Sequence, residues 1–353
     1  MDQSQVALRI AASMACAATL YLAACSDTAV TPPSRSASTN GASLTQDPDI
    51  MNPNGAHIFR TRQWHEADNA AHGHGGGGGG GNNGIFYHGG PVLQSGTNVV
   101  AIYWSASTIY NGGPKPGTSG SQCNDGSLVG TFLSNLGGSS YFNINSTYTD
   151  GAGQPIANIV SYVGCWANDQ NAPSGSQSVS DGQMQSMILS GFGSGAIAYD
   201  PNTLYAIFSA GAVNLGGGFG TQYCAYHSWF TATINGASRV VKYAAMPYDY
   251  AFPTACSMFA GTGAVIPPNG DPGADAEVNT LGHETEETTT DPEGTAWFDR
   301  RGFENADKCA WTFGATFTTG NGGTANMNLG GTNFLVQQNW VNAGGGGCAL
   351  HFP

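Results

Sequence analysis

Read for the spacing of apolar residues, the chain gives a series of short elements. Asn98 to Trp104 is nearly continuous in apolar residues, the pattern of a strand buried on both faces. Ser127 to Leu136 places Leu128, Phe132, Leu133 and Leu136 on one face of a helix. Asn158 to Val163 reads as a strand, Asp181 to Leu189 as a helix capped by Asp181, and Thr203 to Ser209 as a further buried strand. Tyr223 to Thr231 and Ser238 to Met246 flank a turn at Asn235-Gly236, and Asn333 to Val341 is the last strand. Alternation of strand and helix, followed by strand-rich stretches, predicts an α/β fold: a mixed sheet with flanking helices.

One helix is unlike the others. Asp271-Pro272 supplies a cap and a first-turn proline; Ala274, Val278 and Leu281 recur at helical spacing; Asp291-Pro292 stops the run. Its C-terminal half reads Leu281-Gly282-His283-Glu284-Thr285-Glu286-Glu287. The chain is only 9% charged and has seven glutamates, six of which fall between 277 and 304. His283 and Glu287 are one turn apart on one face. This is the geometry of a His-Glu-x-x-His zinc motif with glutamate replacing the second histidine, and Glu284 stands where the water-polarising glutamate would. A catalytic zinc uses three protein ligands and keeps one position open. The third is sought beyond the helix, first at Glu304, then at Asp307 and Asp299. Two carboxylates and one imidazole form a harder set than two imidazoles, so zinc is expected, with manganese or calcium as alternatives. Against this stands the ordinary reading of a glutamate-rich helix as a solvated face.

Composition fixes the compartment and excludes some classes. Net charge is −13 with ten basic residues, so no basic surface exists for nucleic acid. Arg9, the apolar run Ile10 to Leu22, and Leu22-Ala23-Ala24-Cys25 read as a bacterial lipoprotein leader. Residues 1–24 are the signal, Cys25 carries lipid into a membrane, and 25–84 is a Gly/Ser/His-rich tether containing His57, His65, His72, His74 and the run Gly75 to Gly81. A folded domain over 85–353 is held outside the cytoplasm, at the outer membrane or cell surface. Cys123, Cys165, Cys224, Cys256, Cys309 and Cys348 then remain, an even count expected to form disulfides; sequential pairing is adopted among fifteen connectivities. Asp271, Asp275, Asp291 and Asp299 could hold a structural calcium, or simply cap and turn the chain. No Gly-x-Ser-x-Gly elbow occurs, and Gly216 to Gly220 lacks the lysine of a phosphate loop.

Several stretches together resemble the EXORDIUM-like, or phosphate-induced protein, family. These are His88-Gly89-Gly90-Pro91-Val92 running into Val99 to Trp104; Cys224-Ala225-Tyr226-His227; His283 to Glu287 with Thr290-Asp291-Pro292 and Ala296-Trp297-Phe298; Glu304-Asn305-Ala306-Asp307-Lys308-Cys309; and Phe334-Leu335-Val336-Gln337. Gly282 stands where that family usually has alanine, and Thr288 where an apolar residue is common. The pattern also resembles zinc peptidases in which a glutamate beyond the helix completes the site. That resemblance implies His283, Glu287 and Glu304 as ligands, Glu284 as general base, and Asp307 as a carboxylate behind them that orients an imidazole. His227 is a candidate for stabilising an oxyanion or donating a proton, against the commoner role of a core histidine. The expectation is a lipid-anchored metallohydrolase acting on a peptide or polysaccharide. The alternative is a non-catalytic surface protein of EXORDIUM type that binds a polysaccharide or a partner.

Overall fold

The computed structural model describes residues 57–72 and 84–353. The signal, Cys25 and the remainder of the tether, His74 and the glycine run included, lie outside the described residues. In chain order the main elements are β1 (His57–Arg60), α1 (Arg62–His72), β2 (Phe86–Tyr87), β3 (Thr97–Trp104), β4 (Thr118–Ser119), α2 (Leu128–Leu136), β5 (Val160–Asn168), α3 (Asp181–Ser194), β6 (Thr203–Ser209), β7 (Tyr223–Ile234), β8 (Ala237–Pro247), α4 (Pro253–Cys256), α5 (Pro272–Thr290) and β9 (Trp297–Phe298).

Seven strands form one mixed sheet, ordered β1-β7-β8-β6-β3-β5-β4. The inner strands β8, β6, β3 and β5 run parallel, while β1, β7 and β4 pair antiparallel at the two sides. Successive side chains of a strand leave on opposite faces, and both faces are covered. Val99, Ala101, Tyr103, Leu204, Ala206 and Phe208 meet Phe132, Leu133 and Leu136 of α2 and Val278 and Leu281 of α5. Val100, Ile102, Trp104, Tyr205 and Ile207 meet Met184, Met187 and Ile188 of α3. The result is three layers, with α2 and α5 on one side of the sheet and α3 on the other.

Several differences from the sequence reading have local causes. Helix α3 is capped by Ser180, in a box with Gln183. Asp181 is drawn off by the phenols of Tyr226 and Tyr243, which donate to its carboxylate. Strand β5 passes beyond Val163 through a bulge at Gly164, which takes a positive φ and pushes Val163 outward. The apolar run at Asn333 to Val341 is two short strands, Thr332–Phe334 and Asn339–Val341. Between them the side chain of Asn326 accepts from Val336 N and donates to Val336 O, replacing a neighbouring strand.

Residues 57–72 depart most. They lie within the stretch read as tether, yet β1 pairs with β7, setting His57 opposite His227 and Ile58 opposite Tyr226. Ile58 and Phe59 are buried on opposite faces of the sheet. Trp311 Nε1 donates to Arg60 O, and Arg301 forms a two-armed pair with Asp68 of α1.

Three disulfides join Cys123 to Cys165, Cys224 to Cys256 and Cys309 to Cys348, the sequential pattern. The second ties the site-bearing strand β7 to α4. Loops of this length would contribute about 3–4 kcal/mol each on a chain-entropy account.

Helix α5 has no solvated face: every residue from Gly273 to Thr290 is buried. Asp271 Oδ1 accepts from Ala274 N at its start, as its cap. A Cβ on Gly282 would meet Tyr141 Oη at 3.4 Å and Phe132 Cζ at 3.5 Å, ordinary contact distances. Gly282→Ala should therefore stabilise the protein by about 0.5–1 kcal/mol through helix propensity. Urea unfolding checks this, and a lowered midpoint would show that the helix needs the glycine.

Candidate metal centre

Three elements and one turn deliver the side chains. Helix α5 presents His283, Glu284 and Glu287; β7 presents His227 on the face of the sheet that α5 covers; β1 adds His57 beside it. The turn after β9 brings Glu304 and Asp307. That turn docks onto the helix itself, since Asp307 N donates to Glu287 Oε1 at 2.9 Å. Glu304 N donates to Asp307 Oδ2 at 3.3 Å, and the Cys309–Cys348 disulfide closes the turn behind them.

The seven side chains form one chamber with two ends. At one end His283 Nε2 lies 3.1 Å from Glu287 Oε1 and 3.5 Å from Asp307 Oδ1. At the other, Glu304 Oε2 lies 2.6 Å from His57 Nδ1 and 3.6 Å from His227 Nε2. Between them His227 Nδ1 is 3.1 Å from Glu284 Oε2 and 3.6 Å from Glu287 Oε2. Aromatic rings wall the chamber: Phe59 packs on His283 with centroids 4.2 Å apart, Trp311 stacks on Phe59, and His57 stacks on His227. His227, His283, Glu284, Glu287 and Glu304 are all buried.

Burial sets the protonation of the chamber. It drives the Glu284 and Glu304 carboxyls well above their ordinary range, and neighbouring carboxylates add to the effect for Glu304. Glu287 is pushed up to about 7, by burial first and then by Asp307. His57 and His227 are pulled down by burial, His227 further by its neighbouring imidazoles. Burial also opposes charge on His283, but Glu287 and Asp307 outweigh it and hold that imidazole well above its usual value.

Many of the converging atoms lack hydrogen-bond partners. They include both ring nitrogens of His283, Nε2 of His227, Oε1 of Glu284, Oε2 of Glu287 and both carboxylate oxygens of Glu304. A buried polar atom left alone is costly. Nitrogen and oxygen atoms that converge in a buried site without hydrogen-bond partners are what a bound cation satisfies in place of protons, so these residues fit a divalent metal.

Of the residues singled out from sequence, His227, His283, Glu284, Glu287, Glu304 and Asp307 come together. Asp307, expected behind the ligands, lies within reach of His283; Glu304 lies against His57 and His227. Asp299 does not join them, because it accepts from the backbone of its own turn and from Lys308 Nζ. Asp271 caps α5, Asp275 binds Asn269, and Asp291 organises the turn after the helix, so the four aspartates weighed for calcium are dispersed. Glu286 has Asn145, Tyr141 and Tyr148 for neighbours. His57, read from sequence as one of the tether histidines, joins them from β1; the two-residue alternation in His57-Ile58-Phe59-Arg60 aims His57 and Phe59 the same way.

Comparison with known proteins supports the family resemblance. Protein EXORDIUM-like 5 of Arabidopsis thaliana is 26% identical over 285 residues, covering 72% of this chain and 74% of that protein. No solved structure matches significantly. The family model described as the phosphate-induced protein 1 conserved region matches residues 134–337, a span running from the last residues of α2 through the strands β5 to β8 and α5 to beyond the Glu304–Asp307 turn. With more than half of its length matched, the chain belongs to the phosphate-induced protein 1 family.

Proposed function

We propose that the chamber is a divalent-metal centre and that the protein is an exported, lipid-anchored metallohydrolase of peptidase type. The observation that carries the metal reading is the convergence of buried, unpartnered imidazole and carboxylate atoms on α5, β7 and the Glu304–Asp307 turn. His283 and Glu287 would hold the ion, with Asp307 the third donor at that end. The metal would supply Lewis acidity toward a carbonyl and make bound water acidic. Glu284 would take the proton: its Oε1 is unpartnered, and its Oε2 lies 3.1 Å from His227 Nδ1. Its burial favours keeping a proton once received. Three disulfides support an oxidising compartment. Among the described residues no helix is long and apolar enough to cross a membrane, and attachment would rest on Cys25.

One observation favours a second reading. The chamber is enclosed, with His57 and Asp307 its most exposed side chains at 15% and 10%. The metal would then be structural, in a surface protein that binds a polysaccharide or another protein.

Two experiments separate these readings. Glu284→Gln should keep the metal and lower peptide hydrolysis by about 100-fold or more, the range of a lost general base. Unchanged hydrolysis would refute the assignment, and a metal-loaded wild type inert toward a peptide library would favour the structural reading. Chelation should also destabilise the protein, since an ion at about 100 times its Kd adds about 2.7 kcal/mol. The effect should depend on pH. The metal-free Glu287 carboxyl titrates near 7 in the fold, against an ordinary 4.5. Its contribution is therefore present below about pH 4.5 and is lost as pH rises through 7. Thermal unfolding with and without chelator should show the larger difference at pH 8 and the smaller at pH 5; equal differences would count against a cation replacing that proton.

A further inference from the structure

The chamber offers more donors than one ion can use. Four carboxylates, Glu284, Glu287, Glu304 and Asp307, share an enclosed volume with three imidazoles. The donors fall into three groups whose ligand atoms lie within 4.8 Å of one another: His283, Glu287 and Asp307 at one end, His57, His227 and Glu304 at the other, and His227, Glu284 and Glu287 overlapping both.

Glu287 lies between the two ends: its Oε1 is 3.1 Å from His283 Nε2, and its Oε2 is 3.6 Å from His227 Nδ1, the nitrogen that also meets Glu284. His227 Nδ1 lies 3.1 Å from Glu284 Oε2; in the tautomer that donates from Nδ1, the Nε2 lone pair faces Glu304, where Nε2 has no other partner. An imidazole oriented by a carboxylate on one nitrogen, with the other nitrogen free, is the usual arrangement of a metal-ligating histidine. Both Glu304 oxygens are buried and unpartnered at the same point.

We propose that His57, His227 and Glu304 hold a second divalent cation beside the one assigned to His283, Glu287 and Asp307. Two imidazoles and one glutamate are a donor set used by catalytic zinc, so this end takes an ion of the zinc class; the end with two carboxylates and one imidazole is the harder of the two. Paired ions about 3.5–4 Å apart are a recurring device for hydrolysis, one holding the attacking oxygen and the other the leaving or carbonyl oxygen. His57 lies outside the family-matched span, so the second ion depends on a strand that precedes the conserved region. The proposal rests on the metal reading above and extends it to two sites.

The test is zinc stoichiometry. Metal-free mature protein is loaded with zinc, freed of excess by gel filtration and weighed by native mass spectrometry. Wild type should carry two zinc ions in the chamber. His57→Ala should lose one equivalent and keep the other, with unchanged far-ultraviolet circular dichroism; His283→Ala should lose the other. Weak binding by other N-terminal histidines would persist in His57→Ala and so drops out of the difference. Anomalous diffraction at the zinc edge locates the ions independently, with one peak against His57 and His227 and one against His283, and decides the matter should His57→Ala fail to fold. One equivalent, lost in His283→Ala and untouched by His57→Ala, would overturn the second site while leaving the metal reading in place. No zinc in wild type would overturn both.

Discussion

The structure depends on a buried helix that is polar where a buried helix is ordinarily apolar. Helix α5 runs through the interior between the sheet and the α2 side, and its C-terminal half carries His283, Glu284, Glu286, Glu287 and three consecutive threonines. Nothing but other side chains and backbone can satisfy these groups. Two of the threonines do so at short range, Thr289 and Thr290 donating to carbonyls one turn back. The ionisable residues cannot, because carboxylates accept and do not donate. Their placement forces the surroundings to supply imidazoles and backbone N–H groups.

The surroundings are built to that demand. The strand opposite α5 offers His227, the strand beside it offers His57, and the turn at Glu304–Asp307 hands a backbone N–H to Glu287. Each is fixed by something rigid: β7 by the disulfide to Cys256, the turn by that to Cys348, and β1 by strand pairing. The disulfides therefore stand close to the chemistry, holding short, glycine-rich loops that could not hold position by packing alone.

Much of this was legible in the sequence. The boundaries of α5 follow from Asp271, Pro272 and Pro292, and β3 and β6 from their unbroken apolar runs, because these signals are local. Glu304, Asp307 and His227 could be singled out, but which carboxylate faces which histidine depends on how a turn docks on a helix, a matter of tertiary contact. Two kinds of signal were lost. Four residues of strand in a Pro-, Asn- and Gly-rich stretch are outweighed by their neighbours, which hid His57. A bulge such as that at Gly164, or an asparagine standing in for a strand as Asn326 does, breaks the pattern of a strand without ending its path. The burial of α5 on every side was also invisible, since its composition is that of a helix facing water.

The pairing of β1 with β7 also bears on how the chain folds. His57 meets His227 across about 170 residues of intervening sequence, whereas β7 and β8 are joined by a two-residue turn. Contacts so distant in sequence form late, because closing a long loop gains nothing until the surfaces at both ends exist. The β7–β8 hairpin must be in place before β1 has an edge to join. The three-histidine chamber is therefore complete only once this pairing across the sequence has been made.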